Sequence, residues 1–258
     1  MASILPQVHP LAGWEAWLPP EKPDPGVWKR RLFVFSLMQI ALPNPGFAGL
    51  VARGRIRLSQ ENVAISRGLP EPEQLRVNLY RLLARLLALS PDRELLDTLG
   101  TLSGDHTDLG TAIGDLAETA RALTLVEARE EYHDLFIGVG RGELVPFGSY
   151  YLTGFLNEKP LARLRDDMAP LGIARSPGAK EPEDHIGALM DMMAGLIDGS
   201  FGPRQPLQTQ KAFFKKHIGS WAGHFFADLE KAPSARLYRP VGAIGRHFLE
   251  IEEAGFDM

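Results

Sequence analysis

An all-α fold is predicted for this chain of 258 residues, and three observations carry the prediction. Apolar residues recur at helical spacing in one window after another from Pro70 onward. No window of useful length alternates apolar and polar residues with β-branched enrichment, so strands have no signature. Glycine and proline are plentiful, 26 and 20 residues, which breaks the helices with many loops. The expectation is a single globular domain of roughly eight to ten helices over residues 61–258. An irregular, Pro-rich extension precedes it over residues 1–60. No internal repeat appears at a fixed period.

The helices follow in order. Pro70-Glu71-Pro72-Glu73 is a helix start, with prolines in or before the first turn and acids at the positive end of the dipole. Leu75, Leu79, Leu82, Leu83 and Leu86 continue it to Ser90-Pro91. Shorter helices are expected at about Arg93–Leu99, Leu109–Ala122 and Leu125–Phe136, the last with Tyr132, Leu135 and Phe136 on one face. Gly138, Gly140 and Gly142 punctuate a loop. Helices resume near Ser149–Leu156 and Lys159–Leu171. Pro182 opens the next, whose first turn holds three acids and a histidine and whose apolar stripe runs from Ile186 to Ile197. Thr209–Leu229 reads as one long aromatic helix, and Pro233 as the start of the last.

Composition excludes several function classes. A net charge of −4 and a pI near 6.0 give no nucleic-acid footprint. The chain contains no cysteine, which removes disulfides, thiolate zinc sites and a cysteine nucleophile, and suits a cytoplasmic setting. The longest apolar run, Leu32–Leu42, covers about eleven residues where a membrane span needs roughly twenty. Lys29-Arg30-Arg31 precedes that run and resembles a signal peptide's basic start, even a twin-arginine leader. Its position about thirty residues in, and the missing small-x-small cleavage site before Pro43, favour a non-functional extension over export.

The polar motifs carry little catalytic promise. His133-Asp134 is a doublet of the kind used by metal-dependent helical phosphohydrolases, with His106 and Asp184 as nominal partners. Glu130 and His133 form one Glu-x-x-His, where a di-iron bundle requires two. Gly138-x-Gly140-x-Gly142 lacks the lysine and hydroxyl of a phosphate loop and reads as a turn. Ser149 has no nucleophile-elbow context. His217 sits on an aromatic face as a core histidine. Met190, Met192 and Met193 suit either a core or an adaptable peptide surface. Glu181-Pro-Glu-Asp184-His185 reads as a capped helix start, or as a charge and a switchable donor presented to a basic peptide.

Taken together the motifs are more specific than any one of them. Tyr132-x-x-Leu-Phe136-x-Gly138, Val145-Pro146-Phe147-Gly-Ser149-Tyr150-Tyr151, Glu181-Pro-x-Asp184-His185-Ile186, and Phe213-Phe214 to His217-Ile-x-x-Trp221 occur in this order. The set resembles the TorD/DmsD/NarJ family of cytoplasmic chaperones for molybdenum enzymes, over about residues 70 to 252. The resemblance implies an all-α protein that is not an enzyme, with no catalytic residue, no metal and no cofactor. Its partner would be the twin-arginine signal peptide of a molybdopterin oxidoreductase, for example a formate dehydrogenase or a DMSO/TMAO-type reductase. The chaperone would hold the precursor in the cytoplasm until cofactor insertion. Carried over by motif, the peptide-binding residues are Tyr132, Phe136, Pro146, Ser149, Tyr150, Asp184 and His185. Gly148 stands where an acid would be expected, which shifts the acidic contact to Glu181, Glu183 and Asp184. A monomer and a domain-swapped dimer are both compatible with long helices and Gly/Pro hinges. The Arg30-Arg31-Leu32-Phe33 stretch resembles the ligand of such chaperones.

Overall fold

The computed structural model describes residues 68–175, 179 and 181–258. The extension expected over residues 1–60, with its Arg30-Arg31 stretch, lies outside them. The described residues form ten helices: α1 (Glu71–Ala88), α2 (Arg93–Gly100), α3 (Asp108–Ala122), α4 (Leu125–Phe136), α5 (Gly148–Thr153), α6 (Lys159–Met168), α7 (Ile186–Asp198), α8 (Leu207–His217), α9 (Ala222–Lys231) and α10 (Tyr238–Phe256). No strand accompanies them among the described residues. Their only ladder pairing is one isolated antiparallel bridge, Phe147 to His185. The all-α expectation holds.

Local sequence explains where most helices begin. Asp92 accepts from the Leu95 amide at 2.8 Å and caps α2, and Thr107 accepts from Gly110 at 3.0 Å and caps α3. Thr124 and Glu127 form a reciprocal capping box on α4. α10 has no cap of its own; the Glu131 carboxylate of α4 reaches across and accepts from the amides of Arg236, Leu237 and Tyr238 at 2.8, 3.0 and 2.8 Å.

The core is built by close helix pairs. α1 lies along α7, because Gly187 lets the backbones approach; a methyl there would come within 3.0 Å of Ala88 Cβ. α10 crosses α9 over Gly245, where an added methyl would fall 2.2 Å from the Phe226 ring. Trp221, Tyr80, Tyr238, Phe214, Phe225, Phe226 and Phe248 are fully buried, each contributing up to about 3 kcal/mol of transfer free energy. Met190, Met192 and Met193 are also buried, so their place is the core. Charged pairs lock the helices laterally. Arg76 of α1 grips Glu252 of α10 at 2.7 and 2.8 Å, and Tyr80 donates to the same carboxylate at 2.8 Å. Arg81 of α1 holds Asp191 and Asp198 of α7 at 2.8 and 2.7 Å.

Four expected boundaries are corrected. The helix expected from Pro182 begins at Ile186, with His185 as its N-cap; the three acids precede the helix, because Asp184 and His185 are engaged with the Pro146–Ser149 segment. The long helix expected over Thr209–Leu229 is two. At Ile218–Trp221 the amides of Ile218 and Gly219 both turn back to the Phe214 carbonyl, at 2.9 and 2.8 Å, and the Trp221 indole takes the His217 carbonyl at 2.8 Å. The last helix starts at Tyr238 rather than Pro233, where Glu131 supplies its cap. α5 ends at Thr153, because Gly154 turns left-handed at φ 82°.

Candidate functional site

The two signature segments meet. The Gly148 amide donates to the Asp184 carbonyl and the Ile186 amide to the Pro146 carbonyl, both at 2.9 Å. The Asp184 carboxylate then caps α5, accepting from the Ser149 amide at 2.7 Å through Oδ2. Its Oδ1 and the Ser149 hydroxyl are buried without a protein partner. Asp184 borders a cavity of about 80 Å³ whose walls include Gly148, Leu152, Arg163, Lys216, His217 and Trp221. A larger open shelf of about 460 Å³ lies along α4 beside Glu130, His133 and Asp134, but no orphaned buried group of these residues faces it.

Gly148 explains its own departure from the expected pattern. A side chain there would come within 3.0 Å of the Trp221 indole nitrogen, and Trp221 is packed against Tyr151 at 5.3 Å between ring centres. A side chain at that position would require the Trp221 indole to shift. Trp221, Leu152 and Arg163 are site residues that sequence reasoning did not pick out. Trp221 was legible as the end of the fourth motif, and the Gly148 anomaly was a second signal for it; Leu152 and Arg163 had none.

The expected site residues divide into three groups. Pro146, Ser149, Asp184 and His185 form the junction and are all buried. Tyr150 stands at its edge, where Arg141 donates to its hydroxyl at 2.8 Å and lies over its ring. Tyr132 and Phe136 are elsewhere, in an aromatic cluster with Tyr238 at 5.1 to 5.9 Å. Burial pushes the Tyr132 phenol up to about 12, with the Glu181 charge adding to it; Glu181 itself is exposed.

Three charged groups surround the junction. Burial works against the Glu183 carboxylate, but Arg165 donates to it at 3.0 and 2.8 Å and holds its pKa below the usual range. Asp167 behaves likewise: burial opposes its charge, and Lys216 and His217, at 2.5 and 2.6 Å, outweigh that penalty. Glu183 and Asp167 are therefore matched, whereas Asp184 has no ion-pair partner within 4.0 Å among the described residues.

His185 is no switch near neutral pH. It is 8% exposed, its Nδ1 accepts from the Gly187 amide at 3.1 Å, and burial pulls its pKa down to about 4. The unfolded value is about 6.5, so the unfolded chain binds the proton first as pH falls. The native state is fully favoured above that value and loses stability as pH drops from 6.5 towards 4, by about 2 kcal/mol at pH 5. Asparagine at this position keeps the cap acceptor and does not titrate. Urea unfolding at pH 7.5 and 5.0 is expected to show a smaller acid loss for His185→Asn than for the parent. His217, also pulled down by burial, adds the same trend to both chains. An identical acid loss in the two would refute the assignment.

His133 and Asp134 are exposed on α4, 3.3 Å apart. His106 is exposed in the loop before α3, while Asp184 is buried at the junction. The structure does not gather the four. Among the described residues no three His, Asp or Glu side chains are placed to hold one metal ion.

A family profile described as nitrate reductase delta subunit matches residues 103–227, a stretch containing both signature segments. The chaperone protein TorD of Vibrio cholerae is 26% identical over 170 residues, covering 60% of this chain and 77% of the relative. DmsD of Haemophilus influenzae, named as a Tat proofreading chaperone, is 32% identical over 117 residues, covering 45% of this chain and 55% of its own. Over this stretch the chain is similar to the TorD and DmsD chaperones. A solved redox enzyme maturation protein from Archaeoglobus fulgidus is 20% identical, with a TM-score of 0.45, covering 68% of this chain and 93% of that one. The junction around Asp184 is the part of this chain where both signature segments contribute residues to one cavity. No described helix is long and apolar enough to cross a membrane.

Proposed function

We propose that the protein is a non-enzymatic cytoplasmic chaperone that binds the twin-arginine signal peptide of a molybdopterin oxidoreductase precursor and holds it until cofactor insertion and export. The observation that carries this reading is the Asp184 carboxylate at the junction of the two signature segments, which has no ion-pair partner among the described residues, borders a cavity, and has one oxygen committed to α5 and the other buried without a hydrogen-bond partner. A guanidinium suits such an acceptor, because it stays charged and offers several donors in a fixed plane. Arg163 and Lys216 on the cavity wall oppose a cation; Lys216 is already matched by Asp167, and Arg163 has an exposed side chain that can swing outward. The names of the TorD and DmsD relatives support the chaperone assignment.

Calorimetric titration with synthetic twin-arginine leader peptides tests the reading. Micromolar or tighter binding is expected, about −8 kcal/mol, and replacing both peptide arginines with alanine should weaken it at least tenfold. Equal affinity for the arginine and alanine peptides would overturn it.

A further inference from the structure

The wall of the Asp184 cavity carries a second charge without a partner. α6 turns one face to the cavity. Pro160, Arg163 and Leu164 line it, and Asp167, one turn beyond Arg163, reaches the wall residues Lys216 and His217. Residues three and four apart on a helix are neighbours, so Asp167 is the ready partner for Arg163, but Lys216 and His217 already hold it. Glu158 and Asp166, the other acids close to Arg163 along the chain, are exposed. Among the described residues no carboxylate lies within 4.0 Å of the Arg163 guanidinium. Lys216 is cancelled by Asp167, so Asp184 and Arg163 are the two wall charges left unpaired, of opposite sign and not joined to each other.

Size decides what this means. At about 80 Å³ the cavity is far below the roughly 300–1,000 Å³ of an ordinary ligand site, so a peptide guanidinium reaches Asp184 only when the wall opens. Most of the wall is fixed. Leu164, Leu189, His217 and Trp221 are buried, Asp167 holds His217 at 2.6 Å, and the Trp221 indole donates to the His217 carbonyl at 2.8 Å. Displacing α6 as a whole would uncover Leu161, Leu164 and Met168, all buried. Turning the exposed, unpaired Arg163 side chain costs only a change of rotamer. We infer that Arg163 is a gate that tempers cation binding at Asp184: its charge stands against cations in the free protein, and it turns outward when a leader arginine enters. This rests on the leader-binding reading and adds to it a residue that opposes the ligand. Repulsion built into a site lowers affinity, which keeps the leader releasable for export.

The test uses the full chain with Arg163→Met and, separately, Arg163→Lys. Methionine keeps an unbranched side chain and removes the charge; lysine keeps the charge. Arg163 is exposed and has no ion pair among the described residues, so both variants should melt at the parent temperature. Each protein is titrated calorimetrically with the intact leader and with the leader whose two arginines are changed to alanine. Arg163→Met is expected to bind the intact leader about threefold more tightly than the parent, within the range of charge interactions at exposed sites. Arg163→Lys should bind it as the parent does, and the alanine leader should not distinguish the three proteins. Parental or weaker binding of the intact leader by Arg163→Met would overturn the gate. So would an equal gain in Arg163→Lys, or a matching gain on the alanine leader, since neither would come from repulsion between like charges. The leader-binding reading fails separately, in the parent chain: equal affinity there for the two leaders would overturn that reading and the gate with it.

Discussion

Replacing Glu131 with alanine is expected to lower the stability of the protein by about 3 kcal/mol or more, because hydrogen bonds to a charged acceptor contribute roughly 1.5–3 kcal/mol each and orphaned buried donors add a penalty. The residue is buried on α4, and its two oxygens accept three consecutive amides at the start of α10. Those amides have no other side-chain cap. The carboxylate also faces the positive end of the α10 dipole. For a domain of this size the loss corresponds to a fall in melting temperature of roughly 6–12 °C. Glu131→Gln keeps an acceptor but loses the charge, and is expected to fall between the two. Calorimetric melting of the three proteins checks this. A melting temperature for Glu131→Ala within 2 °C of the parent, roughly half a kcal/mol, would show that the α10 start does not depend on this cap.

Removing the charge of Asp184 is expected to weaken leader binding at least tenfold, equivalent to about 1.4 kcal/mol. Asp184→Asn and Asp184→Ala separate its two roles. Asparagine retains an oxygen for the Ser149 amide, so the cap on α5 survives and stability should change by less than about 1 kcal/mol. Alanine also removes the cap and leaves the buried Ser149 amide without its acceptor, at a further cost of about 1–2 kcal/mol. Both variants should therefore lose leader affinity, and only alanine should lose substantial stability. A folded Asp184→Asn protein with the parent's leader affinity would refute the role assigned to this carboxylate.

Much of the fold was legible along the chain because helix signals are local. Periodic leucines marked α1, and the helical spacing of Tyr132, Leu135 and Phe136 marked α4. The failures share a different cause. The acids of Glu181-Pro-Glu-Asp have the composition of a helix's first turn, yet Pro146 and Gly148 compete for the same backbone and win. The aromatic period from Phe213 to Phe225 continues through a break that a single indole N–H stabilises across it. Tyr132 and Phe136 carry a family motif, but Tyr238 draws them into an aromatic cluster away from the junction.

The sequence by itself determined the all-α class, most helix positions, the two signature segments and the family they resemble, since each depends on residues within a turn or two of one another. Only the tertiary structure decided that Asp184 caps α5 rather than starting α7, that Gly148 packs against Trp221, and that Glu131 begins α10. Each of these joins residues separated by tens of positions, and a buried carboxylate acquires its meaning from neighbours that the chain brings to it only on folding.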